Sequence, residues 1–146
     1  MDAVKDERGQ ALVIAAILIG IGALAIVGLR AVQDRMLEGA VAQDAGEAAV
    51  EAAAAVVADA YVAWVDSVRA HAFDVPRPTV DIVGLLADPA TRESARAAAA
   101  DVAARNGGAF DGAIEARCVG ATIEVELHHA GRLHRAAVEA GACSPR

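Results

Sequence analysis

The two cysteines have the most definite chemistry of any side chains in this 146-residue sequence. Cys118 and Cys143 both lie in the C-terminal region. In a small domain outside the cytoplasm, such a pair is more often a disulfide than a metal site or a redox motif. We therefore predict an intrachain disulfide between them. The alternative is two unpaired thiols.

Four histidines raise the question of a metal site: His71, His128, His129 and His134. On a β-strand, His128 and His129 would point to opposite faces, so they could not both bind one ion. His134 lies beyond a predicted turn, and no second cluster of ligands supports it. We expect the histidines to be solvated on the surface, and we expect no metal site.

The remaining polar residues show no pattern typical of catalysis. Gly107-Gly108 follows a predicted helix instead of opening one, which indicates a helix end and not a phosphate-binding loop. Glu124 and Glu126 share one face of a predicted strand and are expected to point to solvent. The serines lie in no nucleophile-elbow or Ser-x-x-Lys context: Ser67, Ser94 and Ser144. We expect a protein that is not an enzyme and has no cofactor or small-molecule substrate.

An uncharged apolar run at residues 11–29 is the strongest signal in the sequence. As a helix it would span roughly 28 Å, close to the ~30 Å hydrocarbon core of a bilayer. Each Leu, Ile or Val in it favours insertion by about 0.3–0.6 kcal/mol. A cleaved secretory signal is the alternative, but the small-x-small triplet Ala23-Leu24-Ala25 lies inside the run and not after it. We predict a retained transmembrane helix.

Basic residues flank this run on both sides and do not decide its orientation: Lys5, Arg8, Arg30 and Arg35. The cysteine pair favours an oxidising compartment for the C-terminal part. We therefore predict a cytoplasmic tail or leader at 1–10, a transmembrane helix at 11–29 and an extracytoplasmic domain at 30–146. Residues 30–146 carry eleven basic and seventeen acidic side chains, a net charge of −6, which argues against nucleic acid and anionic lipid as partners of that domain.

Helical spacing continues beyond the apolar run. Two groups of acidic residues, Asp34 with Glu38 and then Asp44, Glu47 and Glu51, have internal spacings of three or four, and alanines and valines fill the other side. Because no proline occurs before Pro76, we predict one long helix from about residue 10 to about 70, with an amphipathic second part. Gly39 and Gly46 are the expected positions for a bend. The acidic face is either a docking surface for neighbouring subunits or simply a solvated face.

The sequence after residue 70 contains signals for a second helix. We expect a connector at 73–78, followed by a helical turn or a strand at 79–87. Asp88 can cap a helix with Pro89 at its first position, and Asn106-Gly107-Gly108 can end it.

From residue 113 the apolar period changes from 3.6 to 2, which is typical of strands. Residues 114–119 and 122–127 predict a β-hairpin around Gly120-Ala121, with one face on the core and one in water. After a turn at Gly131-Arg132, residues 133–143 could add a third strand. The predicted fold class is α+β, with a long N-terminal helix, a second helix and a small antiparallel β-sheet.

The chain contains three segments, at residues 6–13, 43–49 and 98–107, that together resemble the TadE/TadG-like proteins of Flp (tight adherence) pilus systems. The string Asp6-Glu7-Arg8-Gly9-Gln10-Ala11-Leu12-Val13 is similar to the charged tail that leads into the membrane helix in that family. Gln43-Asp44-Ala45-Gly46-Glu47-Ala48-Ala49 resembles the alanine-rich segment after the helix. Residues 98–107, followed by two predicted strands, are also similar to this family. The resemblance covers about half of the chain.

The resemblance implies a pilin-like fold and a structural role in the bacterial cytoplasmic membrane. The expected partners are the lipid bilayer and other pilin-like or pilus-assembly proteins, bound through helix packing. It also implies possible processing between Gly9 and Gln10. Many pilins and TadE-type members carry a glutamate at the fifth position after cleavage, which is Ile14 in this chain when counted from Gln10. In lacking this acid, the chain resembles TadG-like and other divergent members. The alternative role is a membrane-tethered binding module unrelated to pili.

Overall fold

The computed structural model describes residues 3–71, 81–110 and 112–143, with side chains from residue 10 onwards. The chain divides into two compact units, Met1–Gly39 and Ala40–Arg146, which we call the N-terminal unit and the C-terminal unit. The elements are helices α1 (Ala3–Ala70), α2 (Ile82–Ala87) and α3 (Pro89–Arg105), strands β1 (Ile114–Val119), β2 (Thr122–His129) and β3 (Arg132–Glu139), and a 3₁₀ turn (Gly141–Cys143). This is the α+β architecture that the sequence predicted.

Helix α1 is continuous through Ala70, as the absence of an earlier proline predicted. Gly39 and Gly46, the expected positions for a bend, both lie inside the helix. The predicted connector at 73–78 falls outside the described residues. Residues 79 and 80 of the predicted helical turn or strand also fall outside the described residues. Ile82–Ala87 form a helix, α2, which Asp81 caps by accepting a hydrogen bond from the Gly84 amide at 2.7 Å.

Helix α3 has the ends that the sequence predicted. The Asp88 carboxylate accepts hydrogen bonds from the Thr91 amide at 2.9 Å and from the Thr91 hydroxyl at 2.8 Å, and Pro89 occupies the first turn. These hydrogen bonds to the ionised form lower the pKa of Asp88. At the other end Gly107 adopts a φ of 76°, a left-handed conformation that glycine tolerates.

The three strands form an antiparallel sheet in the order β1-β2-β3. Both connections are two-residue loops. In the first, Gly120 has a positive φ of 60°, and in the second, Ala130 and Gly131 have φ values of 50° and 74°. The second turn therefore lies one residue earlier than the predicted Gly131-Arg132, because a two-residue hairpin loop with two positive φ angles needs both residues between the strands. β2 correspondingly continues to His129, two residues beyond the prediction.

The core of the C-terminal unit lies between the helices and one face of the sheet. Its largest fully buried side chains are Ile123, Val125 and Leu127, at alternate positions of the central strand. The helices contribute mainly alanines spaced four residues apart: Ala45, Ala49 and Ala53 on α1, and Ala95, Ala99 and Ala103 on α3. Because a methyl group is short, this spacing lets helix backbones pack close to their neighbours.

Ala130 provides a test of the second hairpin. An L-residue with side chain pays roughly 1–2 kcal/mol in the left-handed region, which glycine avoids. Ala130→Gly should therefore raise the free energy of unfolding by about 0.5–1 kcal/mol, after the larger unfolded-state entropy of glycine is subtracted. Chemical denaturation of the full chain in detergent, followed by circular dichroism, measures the change.

The matched control is Ala121→Gly, in the first loop. Ala121 does not have a positive φ, so glycine there should only destabilise, by about 0.4–1 kcal/mol. An equal loss of stability in both variants would contradict the turn geometry.

Candidate membrane anchor and the C-terminal unit

The segment 11–29, which we call the apolar segment, is uncovered throughout its length. Large side chains are more than half exposed at every turn, up to 73% for Ile19 and 74% for Leu24. Within the residues described, α1 is the one helix long and apolar enough to cross a membrane, and none of its most apolar window is buried. The core helix of a soluble protein would be mostly buried, so this helix does not fit that class.

Three glycines leave positions without a side chain on the surface of the apolar segment. A Cβ added at Gly20, Gly22 or Gly28 would meet nothing within 4 Å. The backbone at these positions is therefore accessible to another helix. Close helix–helix approach in lipid relies on such small residues.

The disulfide predicted from the sequence is present in the C-terminal unit. Cys118 on β1 and Cys143 in the 3₁₀ turn are bonded, with their Cα atoms 5.2 Å apart and a separation of 25 positions in the chain. The same end of the chain also contacts α1, because the Ala142 amide donates a hydrogen bond to the Tyr61 hydroxyl at 3.3 Å. The disulfide thus ties the end of the described chain to β1, an edge strand of the sheet.

The expectation of solvated histidines is wrong for two of the four. His129 is 8% exposed and His134 is 5% exposed, while His128 points outward as strand alternation requires. The two buried rings lie 6.4 Å apart on the inner face of the sheet. Alternation of Val125, Leu127 and His129 along the longer β2 is the sequence signal that could have placed His129 inward.

Small residues on the neighbouring elements make room for these rings. A Cβ added at Gly46 would collide with the His134 ring, and one at Gly108 would lie 3.2 Å from His129 Nε2. His134 Nε2 is buried and has no hydrogen-bond partner among the described residues. Gly46 therefore has a packing role, in addition to its effect on helix propensity.

The outer face of the sheet carries a four-residue ion-pair network. Arg117 donates hydrogen bonds to Glu126 at 2.9 Å and to Glu124 at 3.0 Å, and Arg135 forms ion pairs with Glu126 at 2.6 Å and with Glu124 at 3.6 Å. Both glutamates face away from the core as expected, yet their side chains are only 22% and 11% exposed because the arginines cover them. The Glu124 hydrogen bond and the Glu126 charge raise the pKa of Arg117.

The ion pairs on the outer face connect all three strands of the sheet. The acids of the central strand are neutralised by arginines on both flanking strands, which fixes the strand register. No three His, Cys, Asp or Glu side chains come together as a metal site anywhere in the described ranges.

Insertion of the apolar segment is testable by fractionation. Replacing Ile19 and Ile21 with Arg should add roughly 5–7 kcal/mol to the cost of membrane insertion. We expect the wild-type chain in the membrane fraction, resistant to carbonate extraction, and the double variant in the soluble or aggregated fraction. Full-length wild-type protein in the soluble fraction would rule out an anchor.

Removal of the disulfide should cost much of the stability of the C-terminal unit. Closing a loop of this length stabilises by about 3.5 kcal/mol in the chain-entropy model. We expect the Cys118→Ser/Cys143→Ser variant of the full chain in detergent to lose stability of that order in chemical denaturation. The wild-type chain under reducing conditions serves as the control and should show the same loss of stability. Equal stability with and without reductant would refute a stabilising role of the disulfide.

Two glycines of α1 should respond oppositely to alanine. Gly46→Ala should destabilise the C-terminal unit by about 1–3 kcal/mol, because the new methyl group displaces the buried His134 ring. A Cβ added at Gly39 would meet nothing within 4 Å. Gly39→Ala should therefore be neutral or stabilising by up to about 1 kcal/mol, as helix propensity predicts. Thermal unfolding of both variants measures the difference, and the same sign for both would contradict the packing of His134 on Gly46.

In comparisons with known proteins, no protein-family model, no curated protein and no solved structure matches this chain.

Proposed function

We propose that this protein is a membrane-anchored, pilin-like structural component of a bacterial Flp pilus or a related secretion system. One observation carries the proposal. A single helix, α1, begins with an uncovered apolar segment and ends in an alanine-rich face packed on a small antiparallel sheet. This order of features, together with the TadE/TadG-like resemblance of the N-terminal string, favours an assembly subunit.

The physics of the apolar segment supports this role. So much exposed apolar surface is unfavourable in water, and lipid or other apolar helices would cover it. The accessible backbone at Gly20, Gly22 and Gly28 suits close packing between helices of neighbouring subunits. The same segment can thus serve in the bilayer and in an assembly.

The disulfide supports a location for the C-terminal unit outside the cytoplasm. Disulfides persist in oxidising compartments and are rare in the reducing cytosol. With one membrane crossing at 11–29, residues 1–10 would then lie on the cytoplasmic side. The expected location is the cytoplasmic membrane, with the C-terminal unit on its outer side.

Processing between Gly9 and Gln10 is part of this proposal. The backbone there belongs to α1, and the surroundings of Gly9 fall outside the described side chains. Ile14 takes the place where many pilins have a glutamate, which makes the segment wholly uncharged. Cleavage would leave a chain whose first residue, Gln10, directly precedes the apolar segment.

Intact-mass measurement of the protein from its native host tests processing. Cleavage predicts a chain that begins at Gln10. A mass that corresponds to Met1 or Asp2 at the N-terminus would eliminate it.

A membrane-tethered binding module is the second candidate, because Ala40–Arg146 forms a compact unit of its own. Exchange of residues 11–29 for an unrelated membrane helix of equal length distinguishes the two. A pilin-like subunit should then lose its association with the other pilus components in pull-down of the intact protein. A binding module should keep full function, and that outcome would overturn the pilin-like proposal.

A further inference from the structure

The end of helix α3 holds the only asparagine of the sequence, Asn106, directly before Gly107. Both residues are exposed. The side-chain amide of asparagine can be attacked by the backbone nitrogen of the next residue, which makes it one of the chemically labile groups of proteins. Glycine hinders this attack least, because it has no Cβ beside the attacking nitrogen. The pair Asn106-Gly107 therefore has the residue types of a deamidation site.

We propose that Asn106 is a site of spontaneous deamidation and that the folded end of α3 controls the rate of the reaction. The Gly107 nitrogen gives its proton to solvent and forms a bond to Asn106 Cγ, while Nδ2 takes up a proton and leaves as ammonia. The product is a cyclic imide. Water then opens the ring at either carbonyl carbon and leaves aspartate or isoaspartate at this position. Overall, one water is consumed and one ammonia is released, without any oxidation or reduction.

The folded structure engages both reacting groups in other hydrogen bonds. Asn106 Nδ2 donates to the Val102 carbonyl at 2.8 Å, and the Gly107 amide donates to the Ala104 carbonyl at 3.2 Å. Asn106 also has a ψ of 17°, whereas ring closure requires ψ to rotate far from this value, so that the Gly107 nitrogen faces Cγ. The reaction therefore requires a local opening of the helix end.

The next residue, Gly108, adds a further restraint. Its amide donates to the Ala103 carbonyl at 2.9 Å, and together with the Gly107 hydrogen bond this forms the Schellman motif that ends many helices. Gly108 is also closely packed, since a Cβ there would lie 2.9 Å from Ala45 Cβ and 3.2 Å from His129 Nε2. Opening the helix end thus has to displace Gly108 from its position between α1 and β2.

Deamidation would weaken the same helix end permanently. A carboxylate has no donor for the Val102 carbonyl, which the Asn106 side chain now satisfies. The C-terminus of a helix carries a partial negative charge, which repels a new negative charge at position 106. Isoaspartate would also add a carbon atom to the backbone and so displace the two glycine amides that end α3. The reaction is thus a one-way change that folding slows and that makes the fold less stable. It is independent of the pilin-like role.

Peptide mapping of the full chain in detergent measures the reaction. Cleavage after glutamate releases residues 94–115, which contain no other side-chain amide, and exchange of NH₂ for OH raises the mass of this peptide. In mildly alkaline buffer we expect this mass gain in the urea-unfolded chain. In the folded chain the rate should be at least about tenfold lower, because the helix end must open first.

Asn106→Gln is the control for the chemistry, because its ring would need one more atom and closes far more slowly. This variant should show no mass gain in the peptide over the same time. An unfolded wild-type chain without the mass gain would refute the deamidation site. Equal rates in the folded and unfolded wild-type chains would refute control of the rate by the helix end.

A product mimic tests the effect on stability. Asn106→Asp should lower the thermal midpoint of the C-terminal unit by about 4–8 °C, because it removes a hydrogen bond and adds an unfavourable charge at the helix end. Ser94→Asp is the matched control. It adds the same charge at an exposed position of α3 outside the last turn, and serine and aspartate have similar helix propensities, so the midpoint should not change. An unchanged midpoint for Asn106→Asp, or an equal loss for Ser94→Asp, would refute a weakened helix end.

Discussion

Close packing through small side chains is the constraint on which the C-terminal unit depends. Ala49, Ala53, Ala99 and Ala103 are all fully buried, and each contributes little apolar area by itself. Stability must then come from the short distances that methyl groups permit and from the many dispersion contacts that result. The disulfide compensates for a core whose large, fully buried side chains, among the described residues, are Ile123, Leu127 and Val125.

The same constraint explains the buried imidazoles. His129 and His134 occupy inner positions of the sheet, and they fit because Gly108, Ala45 and Gly46 leave space opposite them. A larger residue at Gly46 would require the His134 ring to move, and a tightly packed interior resists such a shift. Glycine inside a helix lowers the helix propensity. At Gly46, however, the missing side chain allows the sheet to pack against α1.

Charge on the outer face follows from strand register. The pairing of Glu124 with Arg117 on β1, and of Glu126 with Arg135 on β3, uses the acids of the central strand in both directions. Glu115 forms no ion pair with the described residues, because its register partner is another acid, Glu126, but its charge also raises the pKa of Arg117. Surface ion pairs of this kind add little stability one by one, but together they favour one register of the three strands.

The sequence by itself determined the helix and strand pattern, the apolar segment and the cysteine pair, because each depends on local periodicity, on proline and glycine positions, or on residue type alone. Asp88, Pro89 and Gly107 set the ends of α3 through local hydrogen bonds and φ angles, and the sequence was sufficient there. Only the tertiary structure decided the burial of His129 and His134 and the exact turn at Ala130-Gly131. Those features depend on which surfaces meet across the sheet, since an imidazole is buried or solvated according to the space that a distant helix leaves for it.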